Sequence, residues 1–188
     1  MLPARPASTL LLLLAALACD APLHGTEYDP ASPAPTLELT GAERIFRLSD
    51  HRDTTVLLYF GYTHCPDVCP TTLTDWAKAR RILGDRAARV RFVFVSVDPG
   101  RDTPALARAY ARQFDSTFIG VVANDDQIAR LRRDWGVAVF TQGDPRSPDY
   151  GVGHPSRTFI VDRRGRLRLT HSPGTTPQMI ADDVRNLR

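Results

Sequence analysis

Cys65 and Cys69 are the residues best suited to chemistry, in the run Gly61-Tyr62-Thr63-His64-Cys65-Pro66-Asp67-Val68-Cys69-Pro70. A thiolate is both a nucleophile and a soft metal ligand. Two residues four apart on a helical turn hold their Cβ atoms about 5–6 Å apart. A disulfide needs about 3.8 Å, so bridging requires local adjustment. Two thiolates about 2.3 Å from a metal ion span the wider gap without it. The spacing permits both states and leans toward a dithiol that opens to hold a metal. An inert staple is the competing reading, but a loop of three intervening residues removes little chain entropy. Two thiolates leave a site incomplete, and imidazole is the natural third ligand. The histidines are His24, His51, His64, His154 and His171. Spacing does not choose among them, although His64 abuts Cys65 and its side chain is expected to point elsewhere.

The elements around this loop decide how it is presented. Thr55 to Phe60 is a nearly unbroken apolar run ended by Gly61, which reads as a buried strand. Thr71 to Leu83 repeats apolar residues at helical spacing and stops at Gly84. Pro70 has no N–H and is tolerated only in a first turn, so this helix begins between Pro66 and Pro70. Both cysteines then face the positive end of its dipole, which favours thiolates. Val90 to Val97 is a second buried strand. Thr103-Pro104 opens a helix to Phe114, with threonine as cap and proline in the first position. Phe118 to Val122 is a strand, and Asn124 caps a helix to Trp135. Gly136 to Tyr150 is irregular. Thr158 to Val161 and Leu167 to Thr170 flank a turn at Asp162-Arg163-Arg164-Gly165, and Thr176 to Leu187 is a closing amphipathic helix. Strands that alternate with helices and end in an antiparallel hairpin give an α/β fold: a mixed sheet flanked by helices, with a thioredoxin-like layout among the candidates.

The first residues read differently. Arg5 precedes the apolar run Thr9 to Leu17, and small residues lead to Cys19. That is a secretory signal over residues 1–18, too short to span a bilayer comfortably. Ala16-Leu17-Ala18-Cys19 is similar to a bacterial lipobox, which makes Cys19 a candidate for lipidation and membrane anchoring. A plain signal peptide, or an uncleaved anchor with Cys19 incidental, is the alternative. Residues 19–36 are rich in proline and polar residues without periodicity, and read as a disordered linker. Residues 37–188 form the domain. Export allows disulfides at Cys65 and Cys69 and also exposes them to metals.

The chain has 188 residues, 43% hydrophobic and 24% charged, which suits one globular domain. Lys78 is the only lysine among 24 basic residues, and the net charge is +3. Acids are interspersed with the arginines and no basic block stands beside aromatics, so no nucleic-acid partner is expected.

The spaced motifs resemble the Sco/SenC family of exported copper proteins. Tyr59 to Pro70 looks like the family's cysteine loop. Asp98-Pro99-Gly100-Arg101-Asp102-Thr103-Pro104 resembles its acidic segment, and Tyr150 to Asp162 its histidine segment. The resemblance runs from about Leu37 to Leu187. It implies a thioredoxin-like fold holding one copper, as Cu(I) or Cu(II), through Cys65, Cys69 and His154. It further implies delivery of copper to the dinuclear site of cytochrome c oxidase subunit II, or reduction of that site's cysteines. Asp20 after Cys19 resembles the signal that keeps lipoproteins at the inner membrane, so the periplasmic face of that membrane is the expected location. Other periplasmic copper carriers or thiol reductants are implied partners. Asp98 is carried over as a carboxylate that supports the ligands from behind, against the alternative of a turn or capping residue. The chain departs from the family in reading Gly153-His154-Pro155-Ser156, where an aspartate commonly precedes the histidine. That change removes an orienting carboxylate, and Pro155 biases His154 toward extended backbone.

Zinc would accept the same three ligands with water as a fourth, but no motif places a general base. A general thiol–disulfide oxidoreductase needs the cysteine pair without His154. A peroxiredoxin-like peroxidase fits poorly, since that family places threonine three positions before its cysteine and Thr63 stands two before Cys65.

Overall fold

The computed structural model describes residues 22–187. The expected signal segment and Cys19 lie outside them. In chain order the strands and helices are β1 (Thr26–Pro33), β2 (Glu38–Gly41), β3 (Ile45–Arg47), β4 (Thr55–Gly61), α1 (Val68–Leu83), β5 (Val90–Ser96), α2 (Pro104–Phe114), β6 (Ile119–Val122), α3 (Asp125–Trp135), β7 (Phe140–Gln142), β8 (Gly151–Gly153), β9 (Thr158–Val161), β10 (Arg166–His171) and α4 (Pro177–Asn186). Among the described residues no helix is long and apolar enough to cross a membrane.

Every residue of β4 is buried, as its apolar run demands of a strand covered on both faces. It pairs in parallel with β5, and β5 with β6. On its other side β4 pairs antiparallel with β9. The eight-stranded sheet runs β1-β10-β9-β4-β5-β6-β2-β3, and β7 with β8 forms a separate two-stranded sheet. Side chains alternate across β4. Leu57 and Tyr59 enter one core with Leu73 and Trp76 of α1, while Val56, Leu58 and Phe60 enter the other with Leu131 and Trp135 of α3. Each large apolar side chain shut away in this manner contributes roughly 1.5–3 kcal/mol.

The helix starts follow the expected capping chemistry. The Thr103 side chain accepts the Leu106 N–H, and Asn124 and Gln127 form a reciprocal capping box. Gly136 ends α3 at φ 65°, a left-handed conformation that suits glycine.

Two expectations need correction. The segment 19–36, read as a disordered linker, contains β1, which pairs antiparallel with β10. Its residues are almost all exposed, so no apolar alternation marks it. What fixes it is a buried carboxylate far along the chain: Asp183 Oδ1 accepts the His24 N–H at 2.8 Å and Oδ2 the Gly25 N–H at 3.0 Å. Leu23 packs against the core beside α1 and α4. The last strand, read from Leu167 to Thr170, extends one residue further at its end: His171 is the final residue of β10 and is buried. Its Nε2 lies 2.7 Å from Asp183 Oδ2.

Candidate functional site

The cysteine loop leaves the C-terminal end of β4. Gly61 closes that strand, and its lack of a side chain is required there. A Cβ would lie 2.9 Å from Cys69 Sγ and 3.0 Å from the rings of Phe94 and Tyr59. Cys65 precedes α1 and Cys69 sits in its first turn, as the prolines foretold. Cys65 is half-buried and touches both cores, so it caps the sheet end. Cys69 is fully buried, and both are free thiols. The Cys69 N–H donates to Cys65 Sγ at 3.4 Å, and the Tyr59 hydroxyl donates to Cys69 Sγ at 3.7 Å.

The two thiols differ sharply in acidity. A hydrogen bond from the Cys69 thiol, joined by the Asp67 and Cys69 N–H groups and the His154 ring, brings Cys65 down to about 5 against the opposing effect of burial. Cys69 is pushed up, because its proton is shared with Cys65 and its site is dry. The pair therefore holds one thiolate and one thiol near neutral pH, and binding a metal would displace the remaining proton.

His154 follows β8 and stands beside this pair. Its ring meets Tyr59 and Tyr62 edge-on, each at 6.0 Å between centroids. Burial lowers its pKa, against the pull of the Pro155 carbonyl and the Cys65 charge, which keeps the imidazole neutral and able to donate a lone pair. Its Nδ1 faces the Pro155 carbonyl at 3.3 Å. Among the described residues no three His, Cys, Asp or Glu side chains converge tightly enough to hold an ion. Cys65, Cys69 and His154 thus form a neighbourhood whose closure around a metal needs a shift of side chains or loop. The donor set, two sulfurs and a neutral imidazole, suits a soft ion such as copper.

The other histidines stand apart in role. His64 turns toward Thr63 and Asp102, with Nδ1 3.2 Å from Thr63 Oγ1, as its neighbouring position implied. His51 stacks on Phe46 at 4.9 Å. His24 serves through its backbone N–H, and His171 pairs with Asp183.

Asp98 hydrogen-bonds to partners other than the two sulfurs. It accepts the Tyr150 hydroxyl at 2.5 Å and the Arg101 Nε–H at 2.7 Å. Arg101 also donates to the Pro148 carbonyl at 2.8 Å and lies 3.5 Å over the Tyr150 ring. Asp98 therefore holds the approach to the histidine. Sequence reasoning passed over Asp102, whose buried carboxylate accepts the Thr63 N–H at 2.8 Å, the Thr63 hydroxyl at 2.5 Å and the Ser96 hydroxyl at 2.5 Å. The only available signal was its place in the acidic segment beside Asp98.

The family described as SCO1/SenC matches residues 38–188. The chain belongs to the SCO1/SenC family. An SCO2-like protein of Rickettsia conorii is 33% identical over 131 residues, covering 69% of this chain and 64% of that protein. The match thus spans less than two thirds of that relative's length. The apo Sco1 protein of Thermus thermophilus shares the fold at TM-score 0.80 and 35% identity, over 89% of this chain and 98% of that one. Bradyrhizobium japonicum ScoI, solved with copper bound, follows at TM-score 0.74 and 30% identity, over 84% and 100%. The SCO1/SenC fold seen here is the thioredoxin-like one: a mixed sheet between helices, with the cysteine loop at the end of its central parallel strand.

Proposed function

We propose that this SCO1/SenC protein is an exported, membrane-anchored carrier of one copper ion. Cys65, Cys69 and His154 take the ion, and the protein delivers it to, or first reduces the cysteines of, the dinuclear copper site of cytochrome c oxidase subunit II. Copper is the cargo. The observation that carries the reading is the placement of both sulfurs at one end of the sheet, with the Cys69 N–H 3.4 Å from Cys65 Sγ and the Tyr59 hydroxyl 3.7 Å from Cys69 Sγ, while the His154 ring stands 6.0 Å from the same Tyr59 ring. The family match and the copper-bound Bradyrhizobium relative support it.

The same pair supports the reductive step. Cys65 thiolate attacks one sulfur of a partner disulfide, and a mixed disulfide forms as the partner's first thiolate leaves. Cys69 gives its proton to that thiolate and attacks Cys65 Sγ. The partner's second sulfur leaves as thiolate, and two electrons have passed from the pair to the partner.

Titration of the reduced protein with Cu(I) and Cu(II), beside His154→Ala, tests the copper reading. Weaker binding in the variant, by tenfold or more for Cu(II), is expected. Unchanged affinity would remove His154 from the site and leave the second reading, a general periplasmic thiol–disulfide oxidoreductase. That reading draws on the depressed Cys65 and the unconverged third ligand. Membrane attachment rests on Cys19. The mass of the mature amino terminus tests it, with a diacylglyceryl modification as the expected result and an unmodified cysteine as the contrary one.

A further inference from the structure

We infer that the single turn Asp98–Asp102 positions the two halves of the site separately, Asp98 governing where His154 stands and Asp102 governing the cysteine loop. The inference rests on the copper-and-thiol reading above and assigns its two outputs to different carboxylates.

The need for such positioning comes from the topology. His154 follows β8, and the β7–β8 sheet shares no ladder with the main sheet. Its contacts therefore have to come from side chains. Val152 is buried among the second core and seats the middle of β8. The approach to β8 is held at Pro148 and Tyr150, and both contacts lead to Asp98: directly through the Tyr150 hydroxyl, and through Arg101 to the Pro148 carbonyl. Tyr150 is four residues from His154. The Tyr150 hydroxyl also lies close over Gly100, where a Cβ would come within 3.3 Å. Asp98 is only 4% exposed, and its side chain is engaged by Arg101 and Tyr150.

Asp102 works in the other direction. It is 2% exposed, and the groups its carboxylate receives belong to the cysteine loop and to the end of β5. Thr63, bound through both N–H and hydroxyl, is two residues before Cys65. The Asp102 N–H donates to the Asp98 carbonyl at 2.9 Å, which closes the turn. The Val97 N–H donates to the Gly61 carbonyl at 2.8 Å, which ties the start of that turn to the end of β4. Ties between the two loops also exist: the Tyr62 hydroxyl meets the Val152 backbone, and Arg101 lies 5.7 Å from the Tyr62 ring. The Tyr62 hydroxyl tie does not involve either carboxylate.

Two measurements on the full mature protein separate the assignments: the reduction potential of the Cys65/Cys69 pair, and Cu(II) binding read by affinity and by its thiolate charge-transfer and electron paramagnetic resonance spectra. Tyr150→Phe and Asp98→Asn are expected to weaken Cu(II) binding about tenfold and alter its spectra while the potential stays at the wild-type value. Thr63→Val and Asp102→Asn are expected to shift the dithiol equilibrium by about tenfold, or about 30 mV for two electrons. Should either buried aspartate variant fail to fold, Tyr150→Phe and Thr63→Val decide alone, since each deletes a single hydroxyl. All variants moving both readouts together would overturn the inference, as would silence in both. His154→Ala separates the failures. A normal loss of Cu(II) there, with Tyr150→Phe silent, overturns the inference alone. No loss in His154→Ala overturns the copper reading and the Asp98 assignment with it, while the potential still tests Asp102.

Discussion

The Cys69 backbone N–H points at Cys65 Sγ across 3.4 Å, so the deeper cysteine helps to stabilise negative charge on the outer one. The consequence is measurable. Cys65 sits at about 5, below the ordinary thiol value of 9.0. Its thiolate is present above that pH and lost below it. Iodoacetamide should therefore modify Cys65 before Cys69 in the reduced protein, with a rate that rises through about pH 5 and then levels, read by peptide mass. A midpoint in the ordinary thiol range would contradict the geometry.

Gly61→Ala tests the space behind the pair. The added Cβ would stand 2.9 Å from Cys69 Sγ and 3.0 Å from the rings of Phe94 and Tyr59, which are themselves fully buried. Overpacking of this kind costs about 1–3 kcal/mol. Denaturant unfolding should show that loss, and a wild-type midpoint would mean that Cys69 moves aside freely.

Asp183→Ala tests the clamp on the amino-terminal strand. The carboxylate holds His171 Nε2 and the N–H groups of His24 and Gly25. Breaking a buried pair by removing one partner costs about 3–5 kcal/mol. Amide exchange over residues 24–33 should quicken, whereas unchanged protection there would show that β1 holds by its ladder alone.

The same carboxylate sets a pH dependence. Burial opposes its charge, but His171 and the two N–H groups hold it below the ordinary carboxylate value of 3.8. A lowered folded value means that the stabilisation is present above about pH 4 and is lost as pH falls through the folded value. The acid unfolding of the wild type should therefore be steeper below pH 4 than that of Asp183→Asn, which lacks this titration.

Much of this was legible in the residues. The apolar run at Thr55, the prolines around Cys69 and the caps at Thr103 and Asn124 each act within a few positions, so local pattern reveals them. The cysteine loop is equally local. Pairings across long separations left no such mark. His171 falls just past the strand that local pattern marks, and its partner Asp183 lies twelve positions later. β1 presents an exposed, proline-bearing face that carries no alternation, and its anchor is about 160 residues away. Asp98 was visible as an acid in the right segment, yet its partner Tyr150 lies 52 positions on. Asp102 was passed over because its partner Thr63 precedes it by 39.

The direction of β1 has a practical sequel. His171 lies opposite Thr158, and Thr158 opposite Tyr59, so the backbone entering at Leu23 does so level with the sulfur-bearing mouth. An affinity tag or fusion attached ahead of Pro22 would leave from the same end of the sheet as the cysteine loop, three strands away from it. The carboxyl end, where Leu187 lies near Thr55 and Val90 at the opposite rim, is the place for a handle that leaves the mouth clear.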